Sequence, residues 1–175
     1  SGVLASARSG GRVTKEPARQ GLTTENAPSA ASLVLDDIGD NQTFSFGYAN
    51  DTLASDAATQ NLSLQSGVGS AGNAVTLSIG TGGDDAITTL AITNAGTSVV
   101  DVTQTGNTDD VTTVSVEGTG ALTLGEGADA FGSLETVAAG DFTGGLTFDL
   151  SPAGQAVDAT TGSGSDVITA SGNAD

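Results

Sequence analysis

The chain has 175 residues, with 21 acids against four bases, no Cys, no His and a formal net charge of −17. One domain fits that length, and the missing residue types remove thiolate nucleophiles, disulfides, imidazole bases and Cys- or His-bound metals. A body this acidic repels nucleic-acid phosphate, and no apolar run approaches the roughly 18 residues of a membrane-spanning helix.

All four bases, Arg8, Arg12, Lys15 and Arg19, lie at the start, and residues 20–175 carry 20 acids and no base. Residues 1–32 are rich in Ser, Ala, Gly, Arg and Thr and lack periodic apolar positions, which predicts a flexible basic arm or linker. Such an arm would dock on an anionic surface, such as a cell-surface polysaccharide, or on the acidic body of a neighbouring copy. The start also lacks an uninterrupted apolar h-region, so no signal peptide is expected. Residues 33–175 are expected to form the folded acidic domain.

Short alternating segments follow in chain order: Leu33-Val34-Leu35, Thr43 to Tyr48, Asn61 to Leu64, Val75 to Ile79 and Leu90 to Ile92. Val100 to Val102, Val114 to Val116, Leu122 to Leu124 and Leu146 to Leu150 complete the series. Nearly all place one apolar residue against Thr, Ser or Asp, the two-residue period of a strand with one buried face. Frequent Thr, Val and Ile favour strand over helix, and Gly, Asn, Asp and Ser clusters between them form turns.

These units recur too tightly for βαβ crossovers. The predicted class is all-β, either a parallel β-solenoid of the β-helix or β-roll kind, or an antiparallel β-sandwich. A sandwich needs a thick core, usually with aromatics, and this chain has five Phe, one Tyr and no Trp. A solenoid needs only a thin aliphatic stack, because each coil covers the next. That supply favours the solenoid. From Asp101 onward most acids fall about every eight residues (101, 110, 117, 126, 135, 141, 149, 158, 166, 175). That spacing suggests a half-coil of strand plus turn.

Three segments share the form Gly-x-Asp-x-hydrophobic: Gly80 to Ile87, Gly125 to Phe131 and Gly162 to Ile168. Glycines can take positive φ and bring carbonyl oxygens together, and Asp adds a hard carboxylate. A glycine-rich nonapeptide of this form is the calcium-binding β-helix repeat, and calcium takes 6–8 such oxygens. Candidate ligands are Asp85 with Gly83, Asp129 with Gly127, and Asp166 with Gly162 and Gly164. Each motif also reads as a simple Gly/Asp turn, since the three aspartates do not fall in tandem. Adjacent carboxylates such as Asp36 and Asp37 would point to opposite faces of a strand, so no acid–base pair and no enzymatic activity is expected.

The stretch Ser133-Leu134-Glu135-Thr136-Val137 through Phe142-Thr143-Gly144-Gly145-Leu146-Thr147 leads into Gly162-Ser163-Gly164-Ser165-Asp166-Val167-Ile168. It resembles the repeats of secreted bacterial surface-layer and RTX-type (haemolysin-type calcium-binding) proteins. The resemblance is specific over residues 133–169 and extends in style over 74–175. It implies a right-handed parallel β-solenoid, calcium-dependent folding, export to the cell surface and assembly into a homo-oligomer or lattice. Calcium ligation is carried to Asp166 with Gly162 and Gly164, and by extension to Asp129 and Asp85. Thr161 stands where the motif has its first Gly, and tandem repeats are missing. The expected role is a non-catalytic structural module of an extracellular, surface-layer-like protein, as part of a longer chain. The alternative is an adhesin or carbohydrate-binding β module.

Overall fold

A computed structural model of the chain describes residues 11–14, 23–27, 32–48, 58–80, 86–105, 111–126, 130–170 and 172. Among them lie fourteen strands and no helix. They are β1 (Gly11–Thr14), β2 (Thr23–Ala27), β3 (Leu33–Ile38), β4 (Thr43–Tyr48), β5 (Ala58–Val68), β6 (Val75–Gly80) and β7 (Ile87–Asn94). Then come β8 (Ser98–Thr105), β9 (Thr113–Gly118), β10 (Leu122–Glu126), β11 (Thr136–Ala138), β12 (Leu146–Asp149), β13 (Asp158–Thr160) and β14 (Val167–Thr169).

Odd strands pair with odd and even with even, and every strand pairing is parallel. Each coil therefore contributes one strand to each of two faces, and the chain is a parallel β-solenoid. The faces meet at one point, where Val68, ending the long β5, pairs with Ser98 of β8. Strands β1 and β2 fall inside residues 1–32, the stretch expected to be an arm, and pair with β3 and β4. The rest of that stretch lies outside the described residues.

Alternation does what the sequence pattern requires. In β6 the burial runs buried, half-buried, buried, with Val75, Leu77 and Ile79 inward. Because neighbouring coils are in register, inward residues stack into files. Val75 opposes Val100, which opposes Leu124, then Phe148, then Ile168. On the other face Leu33 opposes Leu62 and Leu62 opposes Ile92, while Leu90 opposes Val114 and Val114 opposes Val137. Parallel coils sit about 4.8 Å apart, so each file is a continuous aliphatic contact. Burying each such side chain is worth about 1.5–3 kcal/mol.

The aromatic residues thicken this spine at two places. Phe44, Phe46 and Tyr48 are buried on β4. Phe131, Phe142 and Phe148 fill the lumen of the later coils, and the rings of Phe131 and Phe148 meet edge to face at 5.2 Å and 72°. The Tyr48 hydroxyl donates to Oε1 of Gln60, which is also buried, and Gln60 Nε2 donates to the Asn61 carbonyl at 2.9 Å. A long polar side chain is thus accommodated inside the stack by pairing its amide.

The coil is longer than the eight-residue acid spacing suggests. Val100 to Leu124 and Leu124 to Phe148 are steps of 24 residues, and Leu62 to Ile92 is a step of 30. Eight is one third of the 24-residue coil, not one half. The acids therefore return to similar positions every third step, as with Glu117 and Asp141 or Glu135 and Asp158.

Candidate functional site

Among the described residues, the most tightly constrained part is the corner where odd strands turn into even ones. Between β7 and β8 only Ala95, Gly96 and Thr97 make the turn, and between β9 and β10 only Thr119, Gly120 and Ala121. Coils stack so closely here that a Cβ on Gly120 would clash with the Gly96 carbonyl oxygen, one on Gly144 with that of Gly120, and one on Gly164 with that of Gly144. A file of glycines runs up this edge. At Gly118 the backbone φ is 117°, which a side chain rarely permits, and a Cβ there would also strike the Asn94 carbonyl.

Asn94 holds the corner from inside. Its side chain is fully buried at an inward position, opposite Leu64 below and Gly118 above. Nδ2 donates to the carbonyls of Gly96 (2.8 Å), Gly120 (2.8 Å) and Ala121 (3.2 Å), and Oδ1 accepts from the Ser98 hydroxyl at 2.8 Å. One amide thus joins the turns of two successive coils. The buried Ser98, in the file between Val68 and Leu122, is the partner that satisfies the acceptor. The sequence gives one usable signal for this corner, the exact 24-residue recurrence of Gly96, Gly120 and Gly144. Asn94 gives a weaker one, as a polar residue at an inward position of an alternating strand.

Gly162, Gly164 and Asp166 lie in the turn between β13 and β14, and the structure gives each a role in stacking. A Cβ on Gly162 would clash with the Phe142 carbonyl oxygen, which accepts the Ser163 amide at 3.1 Å. The Asp166 carboxylate accepts the Leu146 amide of the preceding coil at 2.9 Å. It stands where a backbone carbonyl stands one coil earlier, where the Leu122 amide donates to Gly145 O at 2.9 Å. The Gly-x-Gly-x-Asp pattern therefore works here as a coil-to-coil bracket. Against the 6–8 oxygens calcium needs, the described part of this turn offers a single carboxylate. Among the described residues no three metal-ligating side chains come together. Asp85, Gly83, Asp129 and Gly127 lie outside the described residues.

The other described carboxylates sit on the outer faces. Asp101 opposes Gly125 in the next coil, and its Oδ1 occupies the space where a Cβ on Gly125 would be. Asp149, the next acid along that file, accepts the Ser151 amide at 2.9 Å. Hydrogen bonds from the Ser151 backbone and side chain hold its carboxyl below the ordinary range. The odd face carries a shallow depression of about 380 Å3, lined by Ser32, Asn61, Ser63, Thr93, Ser115 and Glu117. It spans β3, β5, β7 and β9. The chain matches no family model, no curated protein and no solved structure.

Proposed function

We propose that this chain is a non-catalytic structural module of a secreted, surface-layer-like bacterial protein, stabilised by calcium and self-assembling at the cell surface. The observation that carries the reading is the glycine and Asn94 corner. The tightest packing among the described residues serves to stack coil on coil, and Gly162, Gly164 and Asp166 are used in that task. The acid distribution supports a cationic stabiliser. Twenty acids beyond residue 19 have no base among them, so mutual repulsion opposes the compact state. A divalent ion bound by the folded form alone would add about 2.7 kcal/mol at a hundredfold excess over its Kd. Thermal melts followed by circular dichroism, in calcium and in EDTA, test this. A rise in Tm with millimolar calcium, beyond that produced by sodium chloride of equal ionic strength, is expected. Superimposable melts contradict calcium stabilisation.

The depression on the odd face favours a second reading, a carbohydrate-binding β module. Hydroxyls of Ser32, Ser63, Thr93 and Ser115, the Asn61 amide and the Glu117 carboxylate line it, and all are groups that hydrogen-bond sugar hydroxyls. Titration with neutral oligosaccharides separates the readings: saturable binding that is lost in Glu117→Ala and Asn61→Ala favours the second.

A further inference from the structure

The depression on the odd face has a make-up that selects among sugars. Two outward files run through it. One carries Ser63, Thr93 and Glu117 and the other Asn61, Ala91 and Ser115, each step a register pair of neighbouring coils. Together they form a grid with about 4.8 Å between coils and about 6.7 Å between files. Asn61 and Glu117 stand at opposite corners, about 12 Å apart between backbones, and both are exposed. Ala91, between Asn61 and Ser115, is half-buried and adds no polar side-chain atom. That span accommodates two linked pyranose rings, and a volume of about 380 Å3 is within the range of ligand pockets.

The chemistry of the lining narrows the class. Among the described residues no aromatic side chain borders the depression, and the aliphatic Leu33, Leu62 and Ile92 beneath it are buried. A sugar therefore finds no platform for its C–H face and is held by hydrogen bonds, each of which replaces one made to water. Glu117 is the exception. It is the charged group among the described lining residues, and a hydrogen bond from a cationic donor to a carboxylate is roughly twice as strong as a neutral one. Register places Arg12, the one base among the described residues, four coil steps from Glu117. That backbone separation of about 19 Å is too long for it to neutralise the carboxylate. We infer that the depression selects oligosaccharides bearing protonated amines, such as β-1,4-linked glucosamine. Glu117 accepts from the ammonium, and Asn61, Ser63, Thr93 and Ser115 hold ring hydroxyls. The inference rests on the carbohydrate-binding reading above and deepens it by naming the class of sugar.

Isothermal titration calorimetry of the whole 175-residue chain tests it at pH 5.5, where the sugar amine is protonated. The two probes are the glucosamine tetramer and its N-acetylated counterpart. The amine form is expected to bind at least fivefold more tightly, and that preference should vanish at pH 8.5, where the amine is neutral. Two variants of equal net charge separate this site from the field of the whole acidic molecule. Glu117→Gln should lose the preference, whereas Asp149→Asn, on the even face, should retain it. Ala91→Ile adds bulk between Asn61 and Ser115 with a residue that strands favour. It should weaken both probes at least fivefold while circular dichroism shows the wild-type β signal. If both tetramers bind wild type equally, the selection of amines is wrong and the carbohydrate reading stands. If Glu117→Gln and Asp149→Asn keep the preference equally, the attraction is diffuse and the inference fails. If neither tetramer binds at millimolar concentration, the inference and the carbohydrate reading fail together.

Discussion

Single residues at the corner decide whether coils can approach. Asn94→Ala would leave the Ser98 hydroxyl and the carbonyls of Gly120 and Ala121 without their buried partner, at a cost on the order of 3 kcal/mol. Gly120→Ala pushes a methyl into Gly96 and should cost about 1–3 kcal/mol. Gly39→Ala meets no atom within 4 Å and should stay within about 0.5 kcal/mol of wild type. Urea denaturation of the three variants measures the order. Asp166 offers a sharper contrast. As an amide acceptor it tolerates Asn, whose Oδ1 accepts the Leu146 amide, so Asp166→Asn should melt near wild type and Asp166→Ala well below it. Equal losses in both variants would mean that its charge, rather than its acceptor, matters. Asp149 adds a pH signature. Its carboxyl is held low in the folded chain, so its contribution is present above the ordinary value of 3.8 and lost as pH falls through the folded value. Asp149→Asn should therefore lower Tm at pH 6 by a small amount, and the difference from wild type should shrink as pH is lowered below 3.8.

At the scale of strands, what the sequence made legible follows from how each element is stabilised. Strands β4, β6 and β9 were plain in the alternation, because one face packs inward and the other meets water. β5 and β7 run beyond the Asn61–Leu64 and Leu90–Ile92 cores that alternation marks, since coil register extends them past their strictly periodic residues. β11 and β13 are three residues each, too short to show a period, and exist because β9 templates β11 and β11 templates β13. The aspartate and glycines of residues 162–166 were visible, but their backbone partners one coil away were not, since register is a property of the stack. The lumen of the later coils rests on few large side chains. Phe142→Ala should cost about 3–5 kcal/mol. A double-mutant cycle between Phe131 and Phe148 should show about 0.5–1.5 kcal/mol of coupling. Coupling near zero would mean the edge-to-face pair adds nothing beyond area.

At the scale of the molecule, a composition poor in aromatics and rich in Gly and Thr becomes foldable because coils bury one another rather than a central mass. Stability in such a stack is close to a sum of coil and nearest-neighbour contributions, opposed here by carboxylates that gather on the outer faces. Screening alone should then stabilise: raising NaCl from about 0.01 to 0.15 M shortens the Debye length from roughly 30 to 8 Å and should raise Tm. The most direct test of the in-register parallel coil is a distance. Spin labels at Thr76 and Thr169 lie in one outer file, connected through Asp101, Gly125 and Asp149. That is four coil steps, or about 19 Å between backbones. Paired with a label moved from Thr169 to Asp149, the distance should shorten by about 5 Å. A separation that does not fall by one coil step on that move contradicts the parallel solenoid.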